Sequence, residues 1–219
     1  MPDQTIASVI VVAIMLLVGF PVHEFAHALA AYRLGDSTAK LMGRLTLNPI
    51  AHFDPLGGIL LAVSFIGAGF GFGWAKPTPV NPRNLEGGRW GEAIVAAAGP
   101  LSNLVLATAA AIPLRYILSN PTLIDQIPTL ALQVLYLFVV INLVLMIFNL
   151  FPIPPLDGSK VLFAFMPPQV AWRWRPILEQ YGFILLFIIF FVLPTFGMPI
   201  GTRIVGSVID VFLGFLLGR

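Results

Sequence analysis

The chain has 219 residues, 58% of them hydrophobic and only 10% charged, and its mean hydropathy is +0.93. A soluble domain carries roughly a quarter charged residues, so this composition excludes an ordinary water-soluble globule and reads as a polytopic membrane protein. The net charge of +2 is too small to argue for nucleic-acid binding, and the absence of cysteine removes disulfides, thiolate metal sites and cysteine nucleophiles together.

A helix needs about 20 apolar residues to cross a bilayer. The first such run covers residues 5–32. It lacks the basic start and small-residue cleavage site of a signal peptide, so it is expected to be retained as a span. Further apolar runs follow at residues 56–74, 93–118, 129–151, 181–194 and 204–217. The polar connections between them leave no room for a separate soluble domain, and no internal repeat is visible.

The run at 56–74, "LGGILLAVSFIGAGFGFGW", contains six glycines, which favour bends over a stable helix. Charge placement tests whether it spans. If it dips into the membrane and returns, Arg33, Lys40, Arg44, Lys76, Arg83, Arg89, Lys160, Arg173, Arg175 and Arg219 lie inside, against Arg115 and Arg203 outside, a split of ten to two. If it spans, the split is five to seven, which is no bias. The expected fold is therefore an all-α polytopic membrane protein with about five transmembrane helices (six if residues 56–74 span) and a small membrane-dipping β or re-entrant region. Non-helical backbone at that depth has to be buried in protein or line a wet cavity.

Within the first run, "HEFAH" places His23 and His27 one helical turn apart on one face, with Glu24 between them. Two imidazoles so placed can share a zinc ion, the glutamate standing beside the water. A catalytic zinc takes three protein ligands and keeps a position open. In a chain without cysteine, the third is a carboxylate or His52, which lies in a loop beside Pro49 and Pro55 where a polar loop role is equally reasonable. The carboxylate candidate is Asp157 in "NLFPIPPLDGSK", after Pro152, Pro154 and Pro155, which cannot continue the preceding helix. His23 and His27 precede Arg33 by roughly 15 and 9 Å of helix. Asp157 follows a run that ends on the same side only if residues 56–74 re-enter, so charge bias and ligand geometry favour one topology.

Together these motifs resemble the site-2 protease family of intramembrane zinc metalloproteases, which carries an HExxH helix, a G-x-x-x-N element and a later NxxPxPxLDG segment. The matching residues are "HEFAH" at 23–27, "GPLSN" at Gly99 to Asn103, and Asn149, Pro152, Pro154, Leu156, Asp157 and Gly158. The resemblance covers roughly residues 5–160. It implies that His23, His27 and Asp157 bind one Zn2+ and that Glu24 is the general base. It implies one membrane-embedded peptidase domain over 1–219, with its catalytic core at 5–160 and C-terminal spans at 161–219. Asn103 is expected either to stabilise the oxyanion or to make an interhelical hydrogen bond. Asn149 is expected to hold the Pro-rich segment in place, with Pro152, Pro154 and Gly158 shaping it beside the site.

Family members cleave a transmembrane helix of another protein, often a membrane-tethered transcription factor or anti-sigma factor. The partners so implied are a transmembrane protein substrate and the lipid bilayer. The expected location is a prokaryotic cell membrane, with the site nearer the cytoplasm. The substrate helix has to unwind, and residues 39–48 and 73–82 are the expected strand edges that would hold it. No PDZ or CBS domain fits the sequence, so a minimal form is expected. The alternative is a metal transporter or metal-binding sensor using the same ligands. It would need polar residues along a full path, whereas the outer halves of the first, third and fourth runs are almost entirely apolar.

Overall fold

A computed structural model describes residues 2–60, 73 and 75–218, the side chains of residues 2–5 excepted. The described residues are helical or irregular, and none forms a strand. Five helical stretches are long and apolar enough to cross a membrane: Ile6–Arg33, Arg89–Leu118, Thr129–Asn149, Pro168–Thr195 and Ile200–Leu217. The protein is an integral membrane protein of all-α class, as its composition requires.

The first stretch is a rod made of α1 (Pro2–Ile14) and α2 (Phe20–Arg33). They are joined by a wide turn, Met15–Gly19, in which the Phe20 N–H donates five residues back to the Met15 carbonyl. Two single-turn helices follow, α3 (Thr38–Leu41) and α4 (Pro49–His52). The central helix is α5 (Arg89–Leu118), which packs against α2, against α7 (Thr129–Asn149) and against the short α8 (Asp157–Phe165). A one-turn helix, α6 (Pro121–Ile124), joins α5 to α7. Alanines on α5 allow the close approach: Ala107, Ala111 and Leu114 form a core with Val139, Leu143, Met146 and Ile147 of α7.

The sequence expects the third apolar run to begin at residue 93 and the fifth at 181, but helix begins earlier in both cases. Charged residues that look like loop are satisfied by partners distant in sequence. Arg89 donates to the carbonyls of Phe163 and Met166. Glu92 receives a bidentate pair from Arg175, at 2.6 and 2.9 Å, across to α9 (Pro168–Phe187).

The chain closes with a second wide turn (Ile188–Val192), α10 (Leu193–Thr195) and α11 (Ile200–Leu217). Phe190 packs edge-on against Phe148 and Phe151, and Gly201 lies against Phe190. At its other end α11 brings the Phe215 carbonyl to Arg115, which donates to it at 3.4 Å. The last helix thus runs in the same sense as α5. This places Arg203 at the basic end of the bundle, opposite to its expected side, because counting sides assumes that every long apolar run reverses direction.

The re-entrant segment expected at residues 56–74 falls largely outside the described residues. Its flanks do meet: the Lys76 N–H donates to the His52 carbonyl at 2.9 Å. Among the described residues the expected strand edges are not formed. Residues 39–41 belong to α3, and residues 75–80 are irregular chain with no ladder partner among the described residues. The N–H groups of Lys76 and Thr78 are taken by His52 and Glu24, and Pro77 and Pro79 have none.

Candidate metal centre

Helical spacing on α2 puts His23 and His27 side by side, both buried. Asp157 is delivered by the chain reversal after α7. The prolines at 152, 154 and 155 end helical bonding, and Asp157 becomes the first residue of α8. That reversal is tight. A side chain at Gly158 would meet the carbonyl oxygens of Leu150 and Phe151 within 2.6 Å, and one at Gly182 of α9 would meet that of Pro154 at 2.2 Å.

The ligand atoms converge. The Nε2 atoms of His23 and His27 are 3.0 Å apart, and Asp157 Oδ2 lies 3.5 and 3.3 Å from them. A tetrahedral ion with bonds of roughly 2.0–2.1 Å has ligand-to-ligand edges of about 3.3–3.4 Å, so the spacing is that of three ligands around one zinc-sized cation. Among the described residues this is the one group of three metal-ligating side chains so placed.

Hydrogen bonding fixes the ring tautomers to suit. His23 donates from Nδ1 to Asn103 Oδ1 at 2.6 Å, and His27 donates from Nδ1 to the Val95 carbonyl at 2.7 Å. Both Nε2 atoms are then lone pairs facing one another, and a cation between them removes the repulsion. Lys160 lies 3.7 Å from Asp157 Oδ1, leaving Oδ2 for the imidazoles. Burial alone would push the Asp157 carboxyl up. The two imidazoles and the Lys160 ammonium outweigh it and hold the group well below the usual carboxylate range, in the ionised form a metal ligand requires.

Glu24 is buried next to His23 and is gripped twice by Thr78. The Thr78 N–H donates to Glu24 Oε2 at 2.7 Å, and its hydroxyl donates to the Glu24 carbonyl at 3.0 Å. Gly99 faces the rings. A Cβ there would lie 2.3 Å from His27 Nε2 and 2.7 Å from His23 Nε2.

Three expectations change. Asn103 is not free to serve an oxyanion: its oxygen accepts from His23 and its nitrogen donates to Asn142 at 3.0 Å, in a fully buried chain. It orients the ring, and the interhelical alternative describes it correctly. Asn149 turns back on its own helix, donating to the Leu145 carbonyl at 2.9 Å, instead of holding the Pro-rich turn. His52 is no metal ligand. Its Nε2 donates to the Thr46 carbonyl, and its Nδ1 faces Arg44. Pro152, Pro154 and Gly158 lie in the reversal that carries Asp157. Val95, Thr78 and Lys160 were not foreseen. Val95 acts through its carbonyl and Thr78 holds the Glu24 carboxylate through its N–H, backbone groups with no side-chain signature, while Lys160 stands one turn after Asp157 and was legible from that spacing.

Comparison with known proteins adds to this geometry. The chain is 43% identical over 189 residues to the "Putative zinc metalloprotease YwhC" of Bacillus subtilis, covering 83% of this chain and 80% of that protein. It belongs to peptidase family M50, the site-2 proteases. The M50 family model itself matches residues 118–193, which include Asp157. Two mycobacterial M50 relatives named "Putative zinc metalloprotease Rip2", from Mycobacterium tuberculosis and Mycolicibacterium smegmatis, are each 30% identical over 175 residues. The aligned part covers 80% and 79% of this chain but only 64% and 63% of those proteins. No solved structure matches this M50 chain. Membership makes the protein a metallopeptidase, in keeping with a donor set that fits zinc in number, type and spacing.

Proposed function

We propose that the protein is an intramembrane zinc endopeptidase that hydrolyses a peptide bond within or beside a transmembrane segment of another membrane protein. The observation that carries this reading is the convergence of Asp157 with His23 and His27 beside Glu24, the last three on a helix long and apolar enough to cross a membrane. Zinc held by those three ligands would supply Lewis acidity, polarising the scissile carbonyl and acidifying a water molecule. Glu24 takes the proton from the water and passes it to the leaving amine nitrogen. Thr78 holds Oε2 of that carboxylate, so Oε1 is the oxygen left for proton transfer. Asn103 and the Val95 carbonyl keep both imidazoles in the ligating tautomer, and the surrounding apolar helices restrict bulk water.

The site's surroundings support this substrate class. A peptide that reaches it laterally comes from the bilayer and unwinds to expose its carbonyls. A membrane-tethered regulator, such as a transcription factor or anti-sigma factor, is the partner that cleavage of this kind would release. The site stands nearer the end of the bundle that carries Arg33, Lys76, Arg89 and Lys160, which under the positive-inside rule is the cytoplasmic side, and the matched relatives are bacterial.

The test is zinc content and cleavage by the full chain reconstituted with single-span membrane substrates. One zinc per chain is expected, retained by Glu24→Gln and weakened by Asp157→Asn. Glu24→Gln is expected to lower cleavage by about 10²–10⁴-fold. A wild-type protein without zinc, or a zinc content indifferent to Asp157, would overturn the reading.

A further inference from the structure

Arg44 is a buried cation to which the catalytic scheme assigns no role. It is 5% exposed and makes no ion pair with a carboxylate among the described residues. A guanidinium has five N–H donors. Among the described residues, both of Arg44's hydrogen bonds run through Nη2, which donates to the Lys76 carbonyl and to His52 Nδ1. Its Nε is enclosed and has no partner among those residues. Burying a positive charge against two neutral acceptors is costly unless something further completes its pairing.

Its position points to what that is. Lys76, whose carbonyl Arg44 holds, is two residues from Thr78, which grips Glu24. Two residues of extended chain span about 7 Å. Burial pulls the pKa of Arg44 down, and the field of Glu24 opposes that pull, as expected of neighbours. A cavity of about 240 Å³ adjoins the same place, lined by Leu16 and Phe20 of the rod and by His52, Phe53 and Ala75. Phe20 stands one turn before Glu24, His52 is itself a partner of Arg44, and Ala75 adjoins the other, Lys76. That volume is below the roughly 300 Å³ at which pockets for drug-sized ligands begin, and suits a single side chain of a peptide.

A peptide laid beside residues 76–79 finds no free backbone donor there, because the N–H groups of Lys76 and Thr78 are used and Pro77 and Pro79 have none. Its carbonyls need donors from elsewhere, and Arg44 has them. We infer that Arg44 is a substrate-binding residue, donating to a backbone carbonyl oxygen of the unwound substrate beside Glu24, with a neighbouring substrate side chain in the cavity. The inference rests on the peptidase reading. It assigns the charge to holding peptide, with no part in metal binding.

Calorimetry on the full-length, zinc-loaded protein in detergent tests it with three probes. Acetohydroxamate reports the metal alone, a leucyl-containing dipeptidyl hydroxamate reports metal and peptide together, and an analogue of the latter has its backbone carbonyl replaced by CH2. Arg44→Gln is expected to weaken the peptidyl hydroxamate by roughly tenfold to a hundredfold, the weight of a charge-assisted hydrogen bond, while zinc content and acetohydroxamate binding stay unchanged. Arg44→Lys is expected to fall between. In the wild type the CH2 analogue is expected to bind as weakly as the parent does to Arg44→Gln. Equal loss for acetohydroxamate and the peptidyl probe, or no loss for either, would overturn the assignment. Should Arg44→Gln fail to fold, the wild-type pair decides, and a CH2 analogue as tight as its parent overturns it. If the zinc-loaded wild type binds neither hydroxamate, the peptidase reading itself falls and takes the inference with it.

Discussion

The Nδ1 of His23 lies 2.6 Å from the amide oxygen of Asn103, eighty residues further along the chain. The bond commits the ring to presenting Nε2 towards Asp157. Removing it leaves the ligand in place but free to rotate and to change tautomer. Asn103→Leu is therefore expected to weaken zinc binding by roughly 10–100-fold, whereas Asn103→Asp, which retains an acceptor, is expected to stay close to wild type. Competition against a chelator of known affinity measures both.

Gly99 separates stability from function. Alanine is the better helix former by up to about 1 kcal/mol, so Gly99→Ala is expected to leave thermal stability unchanged or raised. The added methyl would stand 2.3 Å from His27 Nε2 and 2.7 Å from His23 Nε2, displacing the ligand atoms. A folded protein with no bound zinc is the expected result. Full zinc occupancy in this variant would contradict the geometry.

Thr78 offers Glu24 a backbone and a side-chain donor, and removing the hydroxyl alone or both together tells them apart. Thr78→Val keeps the N–H that holds Oε2 and is expected to cost little. Thr78→Pro removes it, and about 1.5–3 kcal/mol is typical of a hydrogen bond to a charged group. Cleavage is expected to drop by about 10–100-fold in kcat for proline, with zinc content unchanged. Parallel losses in both variants would assign the effect to the hydroxyl instead.

Asp36 ties the loop after α2 to residues 81–84. It is fully buried and accepts from the Thr38 N–H and hydroxyl, the Asn81 N–H and the Asn84 amide. Burial alone would raise its pKa, but these four donors outweigh burial and leave it below the ordinary value. A depressed carboxylate contributes stability above the unfolded pKa of about 3.9. That stability is lost as pH falls through the folded value. Melting temperature is expected to decline below about pH 4 more steeply for wild type than for Asp36→Asn, whose lower stability should be less dependent on pH over that window.

Much of this was legible from residue spacing. The i, i+4 pair His23 and His27 offers two candidate ligands, and Asp157 after a run of prolines offers a candidate third beside His52, because metal chemistry constrains residue type and helical geometry constrains spacing; the structure brings Asp157, and not His52, to the histidines. Hydropathy likewise identifies long helices. It does not say which way they run, as Arg203 shows, since direction depends on packing between Phe190, Phe148 and Phe151. It also hides helix that begins among charges. Arg89, Glu92 and Arg175 look like loop residues until they are seen paired. The supports of the metal centre were harder still. The Val95 carbonyl and the Thr78 N–H carry no side-chain signature, and the direction of the Asn103 amide is decided by what His23 and Asn142 need.

The wide turn at Met15–Gly19 holds one residue more than an ordinary helical turn would. Each residue of a regular α-helix advances the azimuth by about 100°. Ala7 and Val11, fully buried above the turn, and His23 and His27, buried below it, point inward together because the wide turn takes up that extra residue without advancing the phase. Winding the same residues into a regular α-helix would improve local hydrogen bonding but rotate one half by about 100° against the other: with the histidines seated on the metal, Ala7 and Val11 would turn out towards lipid. Deleting one residue between 15 and 19 would straighten the rod and keep both faces inward. The first helix is therefore keyed like a two-part lock, in which the irregular turn keeps the two working faces in register.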